Sequence, residues 1–248
     1  MLSSDYYKNL SAVLILRRQQ RAKFPQGEFN MKTSSKQKVL KLVQLAMLTA
    51  LIVVLQLLGT FLTGITGLPM SLVLIPIVVG AFSLGPKEGA FLGIMFGIMT
   101  IVMGFTGADA FTATLFYSFG PVKCIITILI CLVKGGLAGF GAGMIYKLLN
   151  KAFRGKHLTL STVLASVAAP IINTGVFVLG MLIFFFNDTG AIQIEFAKRI
   201  EQEITAVTPA WEYIFLVLAG INFVMEFLIN LIIAPASARI VNVIKKKK

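Results

Sequence analysis

Charged side chains are scarce in this sequence. They make up 13% of its 248 residues, whereas a soluble domain carries about 25%. Residues of the hydrophobic set AVILMFWYC make up 57%, and the mean hydropathy is +0.87. This composition excludes a soluble domain built around one core. Because a membrane-spanning helix needs about 20 apolar residues, the chain has room for roughly six spans, and we predict a polytopic membrane protein.

Residues and motifs of common catalytic and metal sites are also missing. A single histidine, His157, argues against a histidine-based metal site, and Cys124 and Cys131 lie in one apolar run, which argues against a disulfide framework. No G-x-x-x-x-G-K-[ST], H-E-x-x-H or G-x-S-x-G motif occurs, so neither ATP binding through a P-loop nor hydrolase chemistry has sequence support. We therefore predict no metal, no cofactor and no enzymatic activity. No internal duplication supports an inverted-repeat transporter.

The apolar runs predict an all-α fold, a bundle of six transmembrane helices at residues 38–62, 69–85, 88–104, 123–149, 160–186 and 211–240. The second run is short and contains Pro76, which favours a kinked or tilted helix inside the bundle. Basic residues cluster in alternate connections: Arg17, Arg18, Arg21, Lys23, Lys32, Lys36, Lys38 and Lys41; Lys147, Lys151, Arg154 and Lys156; Arg239 and Lys245–Lys248. The positive-inside rule makes those connections cytoplasmic, so both termini are predicted inside. Orientation signals and anionic lipid account for the net charge of +13, and nucleic-acid binding is not expected.

The two ends of the chain are predicted to lie outside the membrane domain. Residues 1–35 form a basic cytoplasmic head, residues 36–240 the membrane domain and residues 241–248 a polybasic tail. Met31 begins MKTSSKQKVLKLVQL, an ordinary start for a membrane protein with a cytoplasmic N-terminus. Codons for Gln26, Gly27 and Glu28 can contain a bacterial ribosome-binding sequence. We hypothesise that residues 1–30 reflect a wrongly assigned start or are a disordered head.

Small residues recur every four positions on two of the predicted helices. Ala46 and Ala50 share a face of the first helix, and Gly135, Gly139 and Gly143 share a face of the fourth. Such faces let another helix approach closely in the membrane. One interpretation is a docking surface for a separate membrane subunit. The other is packing within the bundle, which the spacing favours for both sets.

Polar residues also fall inside the predicted spans. Asn222, Glu226 and Asn230 recur at i, i+4 and i+8 and share one face of the sixth helix, and Lys134 and Asn173 lie at similar depth. An ionisable group near mid-bilayer costs at least about 2.5 kcal/mol unless it faces a cavity or a partner. The five residues predict either a polar substrate pocket or a structural ion pair between Lys134 and Glu226.

The connection GFTGADAFTATLFYSFGP, residues 104–121, is too long for a tight helical hairpin. Its glycines and aromatic residues suit a mobile lid over an outward cavity, formed by Phe105, Asp109, Phe111, Phe116, Tyr117 and Phe119. An interfacial loop with an aromatic belt is the alternative.

The order of these features resembles the substrate-binding S component of an energy-coupling factor (ECF) vitamin transporter. The resemblance covers about residues 36–240. It is carried by the basic N-terminus, Ala46-x-x-x-Ala50, IPIVVGAFSLGPKEGAFLGIMFGI, the aromatic loop, LVKGGLAGFGAGMIYKLL, APIINTGVFVLGMLIFF and NFVMEFLINLIIAPA.

The resemblance implies a multi-pass subunit in the bacterial plasma membrane that captures a vitamin from outside. Such a subunit docks through its Ala-x-x-x-Ala face on a transmembrane coupling subunit and topples to release the vitamin inside, while two separate ATPase subunits supply the energy. The docking motif transfers to Ala46 and Ala50, and the pocket to Lys134, Asn173, Asn222, Glu226 and Asn230. Family members often have an arginine where Lys134 stands.

The substrate is the least determined part of this prediction. A lysine with several amide side chains suits a small molecule that carries a carboxylate, hydroxyl groups or an amide. The similarity leans toward the pantothenate branch, with folate, riboflavin or another vitamin as alternatives. Two other functions stay open: a stand-alone secondary transporter or channel with Glu226 and Lys134 on an ion path, and a membrane scaffold protein.

Overall fold

The computed structural model describes residues 33–66, 72–203 and 206–246, which form helices without any β-strand. Residues 1–32, which include most of the predicted head and the alternative start at Met31, lie outside the described residues, and residues 33–35 begin α1. These residues contain eight α-helices and one short helical turn, α8. In chain order they are α1 (Thr33–Thr66), α2 (Leu74–Ser83), α3 (Pro86–Phe105), α4 (Ala110–Tyr117), α5 (Gly120–Ala152), α6 (Leu158–Phe184), α7 (Thr189–Arg199), α8 (Ala210–Glu212) and α9 (Ile221–Lys246). A 3₁₀ turn, Phe186–Asp188, precedes α7, and a π-helix, Tyr213–Gly220, joins α8 to α9.

Five of these helical segments are long and apolar enough to cross a membrane, and α2 is a shorter apolar helix. The five are Lys36–Thr63, Pro86–Phe105, Gly120–Ala152, Leu158–Phe184 and Ala210–Arg239. The all-α membrane fold predicted from the apolar runs is therefore confirmed. The predicted short second helix is α2, and its Pro76 is buried.

Local sequence explains where several helices begin. A connection of only Leu84 and Gly85 joins α2 to α3, and Gly85 has φ of 128°, a conformation that glycine adopts without steric cost. Pro86 then opens α3, where its missing N–H costs no helical hydrogen bond. Asp109 caps α4 by accepting a hydrogen bond from the Thr112 backbone N–H at 3.2 Å.

The chain divides into two units at Leu42. The first described unit, residues 33–42, consists of the opening turns of α1. From Val43 onward the helices form the bundle, in which Ile52 of α1 packs with Leu74 and Ile77 of α2 and with Leu92 of α3. All four side chains are fully buried.

Helices α3 and α5 run antiparallel in backbone contact. A Cβ atom on Gly93 would overlap the Gly135 carbonyl, and one on Gly139 would overlap the Gly89 carbonyl. We call this contact between α3 and α5 the glycine seam. On the other side of α5, Ile172 of α6 fills the space beside Gly141. The turns at 84–85 and 153–157 therefore lie at one end of the bundle, which we call the basic end. Helix α4 lies at the opposite end, which we call the α4 end.

Candidate functional site

The carboxylate of Glu226 lies in the interior of the bundle, with 1% of the residue exposed. It accepts a hydrogen bond from the Asn173 amide of α6 at 3.2 Å and another from the Asn222 amide of α9 at 3.3 Å. Asn230 is also buried, but its amide donates to the Glu226 backbone carbonyl at 2.8 Å. Two amides therefore bond the carboxylate, and a third bonds the backbone of the same residue. We call the contact of Asn173, Asn222 and Glu226 the polar seam between α6 and α9.

One acceptor in the polar seam has no partner. The Oδ1 atom of Asn173 is buried without a hydrogen bond, and so is the Oγ1 atom of the adjacent Thr174. Leaving a buried polar atom unsatisfied costs about 1–3 kcal/mol. A bound molecule with a donor group would remove this cost, so the seam has the hydrogen-bonding capacity of a ligand site.

Lys134 of α5 lies between two aromatic rings. Its ammonium is 5.2 Å from the centroid of Phe177 on α6 and 5.7 Å from that of Phe96 on α3. Such contacts stabilise a cation by about 0.5–2 kcal/mol each. Phe177 follows Asn173 by one helical turn, so the two share a face of α6. Lys134 therefore contacts a ring that lies one helical turn from Asn173 of the polar seam.

The predicted lid segment is mostly helical in the structure. Phe111 of α4 makes edge contacts with Phe177 at 6.2 Å and with Phe196 of α7 at 5.8 Å between ring centroids. Because the Phe177 ring also contacts the Lys134 ammonium, α4 is connected to the candidate site through one ring. The segment was predicted as a loop, and the capping carboxylate of Asp109 explains why it forms a helix instead.

The other predicted lid residues hold α4 in place. Phe105 stacks on Phe116 with centroids 4.5 Å apart, and the Tyr117 hydroxyl donates to the Phe105 carbonyl at 2.8 Å. Phe119 is half-buried and packs against the cluster that contains Leu115 and Phe185. These contacts describe a closed, packed α4 end.

A basic anchor at the α4 end was not predicted from the sequence. Lys123, in the first turn of α5, forms an ion pair with Asp188 at 2.6 Å, donates to the Phe184 carbonyl and lies 4.8 Å from the Phe185 ring centroid. No local sequence pattern predicts a contact between Lys123 and Asp188, because the two residues are far apart in the chain. The rings of Phe96, Phe177 and Phe196 were missed for the same reason.

The two small-residue faces differ in burial. Gly135, Gly139 and Gly143 are buried against α3, where a Cβ on Gly143 would lie 2.7 Å from the Pro86 Cα atom. Their assignment to a partner-docking surface is therefore corrected in favour of packing within the bundle. Ala46 and Ala50, in contrast, are both exposed on α1.

Comparison with known proteins decides the family. The sequence profile described as "ECF transporter, substrate-specific component" matches residues 40–240. The chain belongs to this family. It is a vitamin-binding subunit of a transporter and not an enzyme, located in the bacterial plasma membrane with several spans.

One curated relative of this S component is the pantothenic acid transporter PanT of Lactococcus lactis subsp. cremoris (strain MG1363). The two sequences are 28% identical over 155 residues, which is 58% of this chain and 73% of that protein. No solved structure matches the chain. The family and this relative confirm the expected resemblance to ECF S components of the pantothenate branch.

Proposed function

We propose that this S component binds pantothenate between α3, α5, α6 and α9 and delivers it to an ECF energising module. In this proposal the loaded chain docks on a transmembrane coupling subunit, and two separate ATPase subunits hydrolyse ATP. The observation that carries the proposal is the carboxylate–amide cluster with an unpartnered acceptor at Asn173, one turn of α6 from the ring that contacts the half-buried Lys134. The likeness to a pantothenic acid transporter supports the choice of vitamin.

The chemistry of pantothenate matches these groups. Its carboxylate is an anion that the Lys134 ammonium attracts, and a charge-assisted contact in a site of low dielectric is stronger than in water. Its hydroxyl and amide N–H groups are donors for the Asn173 carbonyl oxygen and for the Glu226 carboxylate. Its amide carbonyl accepts from an asparagine side chain such as Asn222. Each polar group of the ligand thus has a partner of the opposite kind.

The test of the ligand is direct binding of labelled pantothenate to the purified protein in detergent without ATP. We expect Lys134→Gln to weaken binding about tenfold or more, because a hydrogen bond to a charged group contributes about 1.5–3 kcal/mol. Lys147→Gln is the matched control, since Lys147 is an exposed lysine of the same helix. Equal affinities of the two variants, or tighter binding of folate or riboflavin, would contradict the proposal.

The docking part of the proposal is supported by the exposure of Ala46 and Ala50. Both small side chains face outward on an apolar stretch of α1, so another helix can approach its backbone closely. A large side chain there blocks that approach. In this proposal Ala50→Trp keeps pantothenate binding and abolishes uptake in cells that carry the ATPase subunits.

Ala236→Trp is the matched control for docking, because Ala236 is an exposed alanine of α9. It is expected to leave uptake near the unmodified level. Unchanged uptake by Ala50→Trp would refute the docking surface. Uptake that follows an ion gradient and persists without the ATPase subunits would instead indicate a secondary transporter.

A further inference from the structure

A cavity of about 230 Å³ lies at the basic end, remote from the candidate vitamin site. It is bounded by the α2–α3 connection on one side and by the last turns of α5 on the other, from Gly143 to Asn150. Gly143 approaches the Pro86 backbone closely, and Phe82 stacks on Tyr146 with ring centroids 4.6 Å apart. Packed backbone and rings therefore define the walls, so the cavity belongs to the folded bundle.

Two polar atoms in the wall of this cavity have no partner. The Ser83 hydroxyl and the Asn150 Oδ1 atom are both buried without a hydrogen bond. They approach the cavity from different helices, α2 and α5. Unsatisfied buried polar atoms are unfavourable and rare in folded proteins. A molecule with hydroxyl groups would satisfy both, because a hydroxyl both donates and accepts.

The charge around the cavity is positive. Lys147 lines it and is exposed, and the same end of the bundle carries the exposed cations Lys87, Lys151, Arg154 and Lys156. Glu88, half-buried in the first turn of α3, is the acidic residue nearest the connection. The balance favours an anion that meets Lys147. Basic pockets between transmembrane helices on the cytoplasmic side bind lipid headgroups, and the positive-inside rule predicts that side for the basic end.

We propose that this cavity binds the headgroup of an anionic phospholipid with a polyol head, of the phosphatidylglycerol type. Lys147 contacts the phosphate, and the Ser83 hydroxyl and the Asn150 carbonyl oxygen bond the glycerol hydroxyls. A choline head has no O–H or N–H donor for the Asn150 acceptor. The cavity volume is smaller than that of pockets for drug-sized ligands, which begin at about 300 Å³. This size suits a headgroup whose acyl chains stay in the bilayer.

The test is retention of lipid by the purified full chain, measured by native mass spectrometry after exchange into detergent with equal phosphatidylglycerol and phosphatidylcholine. We expect phosphatidylglycerol to be retained in preference. We expect Lys147→Ala and Asn150→Ala each to lower its retention about fivefold, as for the loss of one buried hydrogen bond. Helical content by circular dichroism shows whether each variant folds.

Lys151→Ala is the matched control, because Lys151 is an exposed lysine one turn further along α5 that does not line the cavity. Its retention is expected to stay near that of the unmodified chain. An equal loss in Lys147→Ala and Lys151→Ala would overturn the site and indicate general attraction of anionic lipid. Equal retention of phosphatidylcholine would overturn the headgroup assignment. Displacement of phosphatidylglycerol by inorganic phosphate alone would show that the site takes a free anion.

Discussion

The glycine seam and the polar seam hold helices together by opposite means. In the glycine seam, α3 and α5 approach until backbone touches backbone, because side chains are absent at the contact. In the polar seam, one hydrogen bond from Asn173 of α6 reaches the buried carboxylate of α9, which Asn222 of the same helix also contacts. Lipid is as apolar as the helices, so neither contact gains from a hydrophobic effect. The glycine seam is filled by atoms of the chain itself, whereas the polar seam keeps at Asn173 an acceptor without a hydrogen bond.

The largest expected effect comes from breaking the glycine seam. Gly93→Ala places a methyl group on the Gly135 backbone, which cannot yield like a flexible side chain. We expect a loss of about 3 kcal/mol in the free energy of unfolding, measured by thermal unfolding in detergent. Gly175→Ala is the control, since a Cβ there meets nothing within 4 Å, and it is expected to be neutral or stabilising by up to about 1 kcal/mol. Equal melting temperatures of the two variants would contradict the seam.

The next effect comes from the charge in the polar seam. Glu226→Gln keeps the shape but turns one acceptor into a donor that faces an asparagine amide. We expect a destabilisation of about 1–3 kcal/mol, again measured by thermal unfolding. Glu195→Gln removes one charge of a surface ion pair with Lys198 and is expected to change stability by less than about 0.5 kcal/mol. If both variants behaved alike, the carboxylate would not be what holds α6 to α9.

A smaller effect is expected at Phe177, whose ring contacts both Lys134 and Phe111 of α4. Phe177→Leu removes the ring beneath Lys134 and its edge contact with Phe111. Because a cation–π contact contributes about 0.5–2 kcal/mol, pantothenate affinity should fall by roughly threefold to tenfold in a binding assay. The control Phe91→Leu changes an exposed ring of α3. Unchanged affinity in Phe177→Leu would separate Lys134 from the ligand site.

The smallest effect is expected at the ion pair between Lys123 and Asp188. Lys123 of α5 and Asp188 after α6 are each about one-third exposed, so solvent screens their attraction. A double-mutant cycle of Lys123→Met and Asp188→Asn should give a coupling of about 0.2–1 kcal/mol that declines with added salt. A coupling that is independent of salt would show that the pair is effectively buried.

Much of this fold follows from patterns within single helices. The apolar runs predicted each spanning helix and the short α2, and the spacing of Asn222 and Glu226 predicted their shared face. The glycine strip of α5 had a readable counterpart, because Gly89, Gly93 and Gly97 of α3 repeat the same spacing of four. Matching the two strips would have identified the partner helix.

Contacts between distant residues could not be read in this way. Nothing in the sequence around Lys134 specifies Phe96 or Phe177, because that choice depends on how three helices pack. The helix α4 was within reach, since Asp109 and Thr112 have the spacing of an N-cap. The roles of the site residues remain predictions that the binding experiments test.

The connection of Leu84 and Gly85 has a mechanical consequence. Two residues leave no slack between α2 and α3, and α3 is in turn locked to α5 by bare backbone. We therefore expect these three helices to move together. Any movement that carries the vitamin across the membrane must then tilt the three together or slide the remaining helices along them.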